Sequence, residues 1–137
     1  MSKDFMTEWW KCKIPDEWSY DYQEGCVSFA SDQNIGALQV SAACKDDKTV
    51  SEIDLRDFAQ EHIETGAKLK DTKYGDFSGY FISYAIEENE YWQEFWLKCK
   101  NIMLYITYNC DFSCKGKEND TIVDILDSLK INIIKDS

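Results

Sequence analysis

A chain of 137 residues, 44% hydrophobic and 15% aromatic, is the length of one domain and too apolar for a disordered acidic tail. Its formal charge is −11, from 26 acidic against 15 basic residues, and Arg56 is its only arginine. That balance argues against nucleic acid, which needs a basic stripe and is gripped best by the arginine fork, and it favours a basic protein where a partner exists.

The opening residues Met1 to Glu8 are polar and acidic, with no apolar run behind a basic start, so a secretory leader is not expected. No stretch approaches the roughly 18 apolar residues of a transmembrane helix. These features predict a cytoplasmic protein without membrane contact.

Residues 10–14 alternate apolar side chains with lysine, as a half-buried strand does, and Pro15 stops them. Pro15-Asp16-Glu17-Trp18 reads as a turn whose Trp18 folds back onto the domain. A short strand is expected at 25–30, turn chemistry at 31–34, and a third strand at 36–44. The small side chains of that third strand, Ala37, Ser41, Ala42 and Ala43, predict close packing on it.

After a charged loop at 45–48, a helix is expected over 51–65. Ser51 is a suitable N-cap with Asp54 three residues on, and Gly66 is a suitable stop. Leu55, Phe58, Ala59, His62 and Ile63 recur at helical spacing, so one stripe faces a core.

The strongest pattern follows. Residues 77–87, 91–99 and 101–110 read as three long strands in an antiparallel meander, turned at 88–90 and at Lys100-Asn101. A polar loop leads to a helix over 120–130, with Asp120 as N-cap and Ile122, Val123, Ile125, Leu126 and Leu129 as its apolar side. Residues 131–134 add a short strand or seal the core. The order β-β-β-α-β-β-β-α predicts an α+β domain, one antiparallel sheet flanked by two helices.

The six cysteines stand at 12, 26, 44, 99, 110 and 114. Without an export signal they are expected as free thiols, most of them small core hydrophobes. Cys110 and Cys114 form C-x3-C, but no second Cys/His pair completes a zinc set, so no metal is expected.

In the middle strand of the meander Tyr91, Phe95, Leu97 and Cys99 share one face, and Trp92, Glu94, Trp96 and Lys98 share the other. In the next strand Ile102, Leu104, Ile106 and Tyr108 form the apolar face, opposite Met103, Tyr105 and Thr107. The face carrying Trp92, Glu94, Trp96, Met103 and Tyr105 is rich in aromatics yet studded with polar groups. Covered by a helix or the N-terminal segment, it is core; left partly open, it is the candidate binding site.

Catalytic chemistry is sparse. His62 is the sole histidine and lies on the helix stripe, with no nucleophile placed beside it by any motif. The paired carboxylates, Asp46/Asp47 and Glu87/Glu88, fall in loops and turns, where water solvates them. Gly75, Gly79 and Gly116 form no phosphate loop. No catalytic residue and no cofactor is expected.

The layout resembles PsbP-like and DcrB-like domains. The similarity lies in Ile14-Pro15-x-x-Trp18, in Ala37-Leu38-Gln39-Val40-Ser41, and in Gly79-Tyr80-Phe81 leading into a hairpin. Met103-Leu104-Tyr105-Ile106-Thr107-Tyr108 and the closing Ile125-Leu126-Asp127-Ser128-Leu129-Lys130-Ile131 continue it. The resemblance implies an α/β/α sandwich whose members are adaptors, effector chaperones or accessory subunits rather than enzymes. A cystatin-like or NTF-like fold is the competing reading, but there the helix comes first. The expected function is therefore a non-catalytic binding or adaptor protein acting through protein–protein contact, with an immunity-type inhibitor or effector chaperone as special cases. The alternative is a carrier of a small apolar ligand on the aromatic sheet face.

Overall fold

A computed structural model describes residues 2–23, 25–44, 50–64, 68–87 and 89–132. In chain order the strands are β1 (Ser2–Met6), β2 (Trp10–Pro15), β3 (Trp18–Gln23), β4 (Cys26–Ser31) and β5 (Gly36–Cys44). Helix α1 (Glu52–Glu64) follows, then β6 (Lys70–Tyr74), β7 (Phe77–Ile86), β8 (Glu90–Cys99) and β9 (Ile102–Asp111). Helix α2 (Asn119–Asp127) and the short β10 (Lys130–Ile131) close the chain.

The class is α+β with antiparallel pairing, as expected, but the strands form two sheets rather than one. Seven run in the order β3-β4-β5-β9-β8-β7-β6, and three in the order β1-β2-β10. The order β-β-β-α-β-β-β-α is corrected by four added strands, β1, β3, β6 and β10. Three of these are polar or brief, and two of the four end the large sheet, where little burial is needed to hold a strand. The expected meander stands as β7, β8 and β9, each partner in continuous register. β5 returns to lie beside β9, pairing Gly36 with Cys110 and Cys44 with Ile102.

One face of the large sheet buries Val27, Phe29, Leu38, Phe95, Leu97, Leu104 and Ile106 against β2 and α2, which contribute Trp10, Ile14, Ile122 and Ile125. The other face meets α1, whose Leu55 and Ala59 pack on Tyr80, Ile82 and Trp96. Helix α1 begins with the reciprocal cap its sequence announces. Asp54 N–H donates to Ser51 Oγ at 3.1 Å, and Ser51 N–H donates to Asp54 Oδ2 at 3.0 Å. Gly66 lies outside the described residues, as do the side chains of His62 and Ile63.

Helix α2 departs from its expected start. Its N-cap is Glu118 rather than Asp120, and no side chain caps it. Glu118 is instead buried, accepting a 2.7 Å hydrogen bond from the Tyr108 hydroxyl. Ile122, Ile125 and Leu126 turn inward, and Leu129 just beyond the helix is buried with them, but Val123, expected on the apolar side, is 41% exposed. The β6–β7 turn needs glycine: Gly75 sits at φ +57°, and a Cβ there would run into the carbonyl oxygen of Leu129.

Candidate functional site

The expected face of β8 and β9 is assembled as its alternation dictates, with Trp96 opposite Tyr105 and Glu94 opposite Thr107. Helix α1 lies over its centre. Trp96 is 1% and Glu94 2% exposed, while Trp92, Met103 and Tyr105 are half-buried. The Tyr105 hydroxyl donates a hydrogen bond to Glu94 Oε1. Tyr84 also hydrogen-bonds Glu94; burial first, then that bond and the carboxylate's charge, hold its phenol above the usual range. Trp92 stacks on Tyr84 with ring centroids 6.5 Å apart and planes 6° apart, and its Nε1 donates to Glu90 Oε2 at 2.9 Å. The five residues thus divide into a buried centre and a half-buried border, organised around a carboxylate that anchors two tyrosines.

A larger concavity lies on the opposite face, where the three-stranded sheet meets the β3 edge of the large one. This cleft of about 550 Å³ is lined by Phe5, Met6, Trp9, Trp10, Tyr20 and Tyr22. Its volume falls within the range of small-molecule pockets. Met6 is 59%, Tyr20 52% and Tyr22 50% exposed, a concentration of accessible apolar surface unusual for a single small region.

Both walls are held in place. Phe5 meets Tyr20 edge-on at 4.8 Å and Phe29 edge-on at 5.2 Å between ring centroids. The β1–β2 turn is closed by Thr7, whose Oγ1 accepts from the backbone N–H groups of Trp9 and Trp10 at 3.2 and 3.1 Å. From the far end of the chain, Asn132 donates its side-chain amide to Thr7 O and its backbone N–H to Trp9 O, both at 2.8 Å. Trp9 is therefore presented by a fixed turn, and binding need not order it. Sequence reasoning missed this cleft, although Trp18, Tyr20 and Tyr22 recur at the strand period of two.

Among the described residues, no group of three or more His, Cys, Asp or Glu is placed to hold a metal, and all six cysteines are free thiols. Burial, reinforced by Asp4, pushes the Cys12 thiol up to about 12. No described helix is long and apolar enough to cross a membrane.

No protein-family model matches the sequence, and neither does any curated protein. Solved structures do. Cyanobacterial PsbP (CyanoP) from Synechocystis sp. PCC 6803 superposes with a TM-score of 0.60 at 11% identity, over 95% of this chain and 92% of its own. The fold is PsbP-like. LpqN, involved in cell envelope biogenesis of Mycobacterium tuberculosis, shares it with a TM-score of 0.56 at 12% identity, over 95% of this chain and 84% of its own. A Bacteroides thetaiotaomicron VPI-5482 protein superposes with a TM-score of 0.70 at 18% identity over 94% of this chain, which spans only 48% of that protein's length. At these identities the PsbP-like likeness is one of fold.

Proposed function

We propose that this is a non-catalytic binding protein, an adaptor acting through protein–protein contact, and that the cleft between β1–β2 and β3 is its contact site. One observation carries the reading: a preorganised concavity in which Met6, Tyr20 and Tyr22 are each half or more exposed beside Trp9 and Trp10. Interface energy concentrates in Trp and Tyr side chains of this kind, seated where they lose little entropy on contact. The Trp92–Tyr84 border beside α1 is a flatter and more covered surface, and ranks second.

The test is photocrosslinking from position 22 in the native host. A discrete protein adduct, abolished by Met6→Asp in a protein that melts normally, is the expected outcome. Absence of any adduct, or adducts indifferent to Met6→Asp, would remove the cleft as a contact site. A carrier of a small apolar ligand is the second reading, favoured by the cleft's volume. It predicts a co-purifying ligand in native mass spectrometry that Trp9→Ala releases.

A further inference from the structure

Among the described residues, strand β3 ends the seven-stranded sheet and pairs with β4 alone, in unbroken register from Trp18↔Ser31 to Gln23↔Cys26. Ser19, Tyr20, Asp21, Tyr22 and Gln23 are all exposed. Every second residue of such a strand points its N–H and C=O away from the sheet, a template for another strand. Edges are ordinarily blunted by lysine, proline or bulges. The opposite edge, β6, carries Lys70 and Lys73, and β1 carries Lys3. β3, with sequence WSYDYQ, carries none of these devices.

Charge along this stretch of the chain is one-sided, although the β1–β2 wall of the cleft carries Lys3, Lys11 and Lys13. Between residues 14 and 44 the acidic residues are Asp16, Glu17, Asp21, Glu24 and Asp32, and there is no lysine, arginine or histidine. β3, β4 and β5 all fall in this interval. Glu8 carries the only charge among the described residues lining the cleft, where aromatic side chains dominate. Aromatic faces beside a carboxylate suit a positively charged side chain. A residue opposite Tyr20 or Tyr22 on an added strand would project to the cleft side of the sheet.

We infer that β3 takes an extended, lysine- or arginine-bearing segment of a partner protein as an added strand, with one cationic side chain seated in the aromatic cleft. This rests on the cleft being a contact site and names the chemistry of what fills it. Backbone hydrogen bonds along the edge supply affinity, and the cleft supplies selectivity for the cation. The acidic surface speeds the encounter.

The probes are an end-capped decapeptide alternating lysine with valine, its glutamate counterpart, and the lysine peptide N-methylated on alternate residues. Binding is read by tryptophan fluorescence and by amide hydrogen exchange along β3, with Nile red as an independent reporter of the cleft. The lysine peptide is expected to bind, to slow exchange at the outward amides of β3, and to weaken as salt is raised. N-methylation, Asp21→Lys and the Tyr20→Ala/Tyr22→Ala pair are each expected to weaken it about tenfold or more, the equivalent of roughly 1.4 kcal/mol. Asp21→Lys alters only an exposed side chain, so its melting temperature should stay close to that of the parent, whereas the Tyr20→Ala/Tyr22→Ala pair also gives up the Phe5 contacts and is compared at a temperature well below its own melt.

Equal binding of the lysine and glutamate peptides would overturn the inference. So would indifference to N-methylation, or tetramethylammonium ion binding as tightly as the peptide. If Nile red binds, and leaves on Trp9→Ala, but no peptide does, strand addition fails while the cleft remains a contact site. If neither dye nor peptide binds, both readings fall.

Discussion

Trp92 and Trp96 share one strand face and differ in fate. Trp96 is 1% exposed beneath α1, and Trp92 is half-buried at the border. Trp96→Ala should cost about 3–5 kcal/mol, by lost transfer energy plus the cavity left under the helix. For a domain of this size that lowers the melting temperature by roughly 10 °C or more. Trp92→Ala should cost about 1 kcal/mol, since much of its surface already meets water. Urea titration of both variants measures the difference, and equal losses would mean that α1 does not cover the face as described. Tyr105→Phe removes a donor from the buried Glu94 carboxylate and should cost about 1–3 kcal/mol.

Titration belongs to the same scale. Cys12, 3% exposed, has its thiol pushed from 9.0 up to about 12, because burial and then Asp4 penalise the thiolate. Tyr84 and Tyr108 are also held above their ordinary values, each by burial first and then by a neighbouring carboxylate. A raised value means that the folded protein keeps its proton more tightly than the unfolded chain does. The stabilisation is therefore complete below the unfolded value and is lost as pH rises through the folded one. For Cys12 that window runs from pH 9.0 to about 12, so stability should fall across it. Cys12→Ser, which lacks this thiol, should show a shallower alkaline loss in melts taken across the same interval.

At the scale of elements, the start of α1 was legible in full. Ser51 and Asp54 satisfy each other's backbone donors within four residues, a purely local arrangement. Ser51→Ala should cost about 1 kcal/mol, and amide exchange over 52–58 should accelerate more than exchange in β8. The start of α2 was not legible. Asp120 has the right chemistry for a cap, but Glu118 precedes it and is drawn inward by Tyr108, which belongs to β9. A distant hydroxyl thus decides where the helix begins. β7 shows a similar dependence: a Cβ at Gly79 would run into the Trp96 carbonyl oxygen and approach Leu55 Cδ2 at 2.8 Å. Gly79→Ala should therefore loosen both the β7–β8 pair and the α1 contact.

At the scale of the whole molecule, a charge of −11 repels itself in the compact state. Raising ionic strength from about 0.01 M to about 0.15 M shortens the Debye length from about 30 Å to about 8 Å, and the melting temperature should rise. The same change should weaken any cationic peptide at β3, so the two effects of salt oppose each other and can be separated in one series.

Local pattern by itself determined the faces of β8 and β9, the hairpins joining β7 to β9, the capped start of α1 and the α+β class. Each depends on periods of two or 3.6 residues, or on groups within a few positions of one another. What covered each face lay beyond that reach. Period-two alternation marks Trp96 as turned away from Leu97 without saying whether a helix or water receives it. The pairing of Gly36 with Cys110 joins residues far apart in sequence, and it places β3 at an edge. The cleft depends on more distant partners still. Phe5, Trp9 and Tyr22 come from β1, the β1–β2 turn and β3, and the turn is tied by Asn132 at the other end of the described chain. Tertiary structure decided it, because a concavity belongs to the space between elements, and no single element carries its signature.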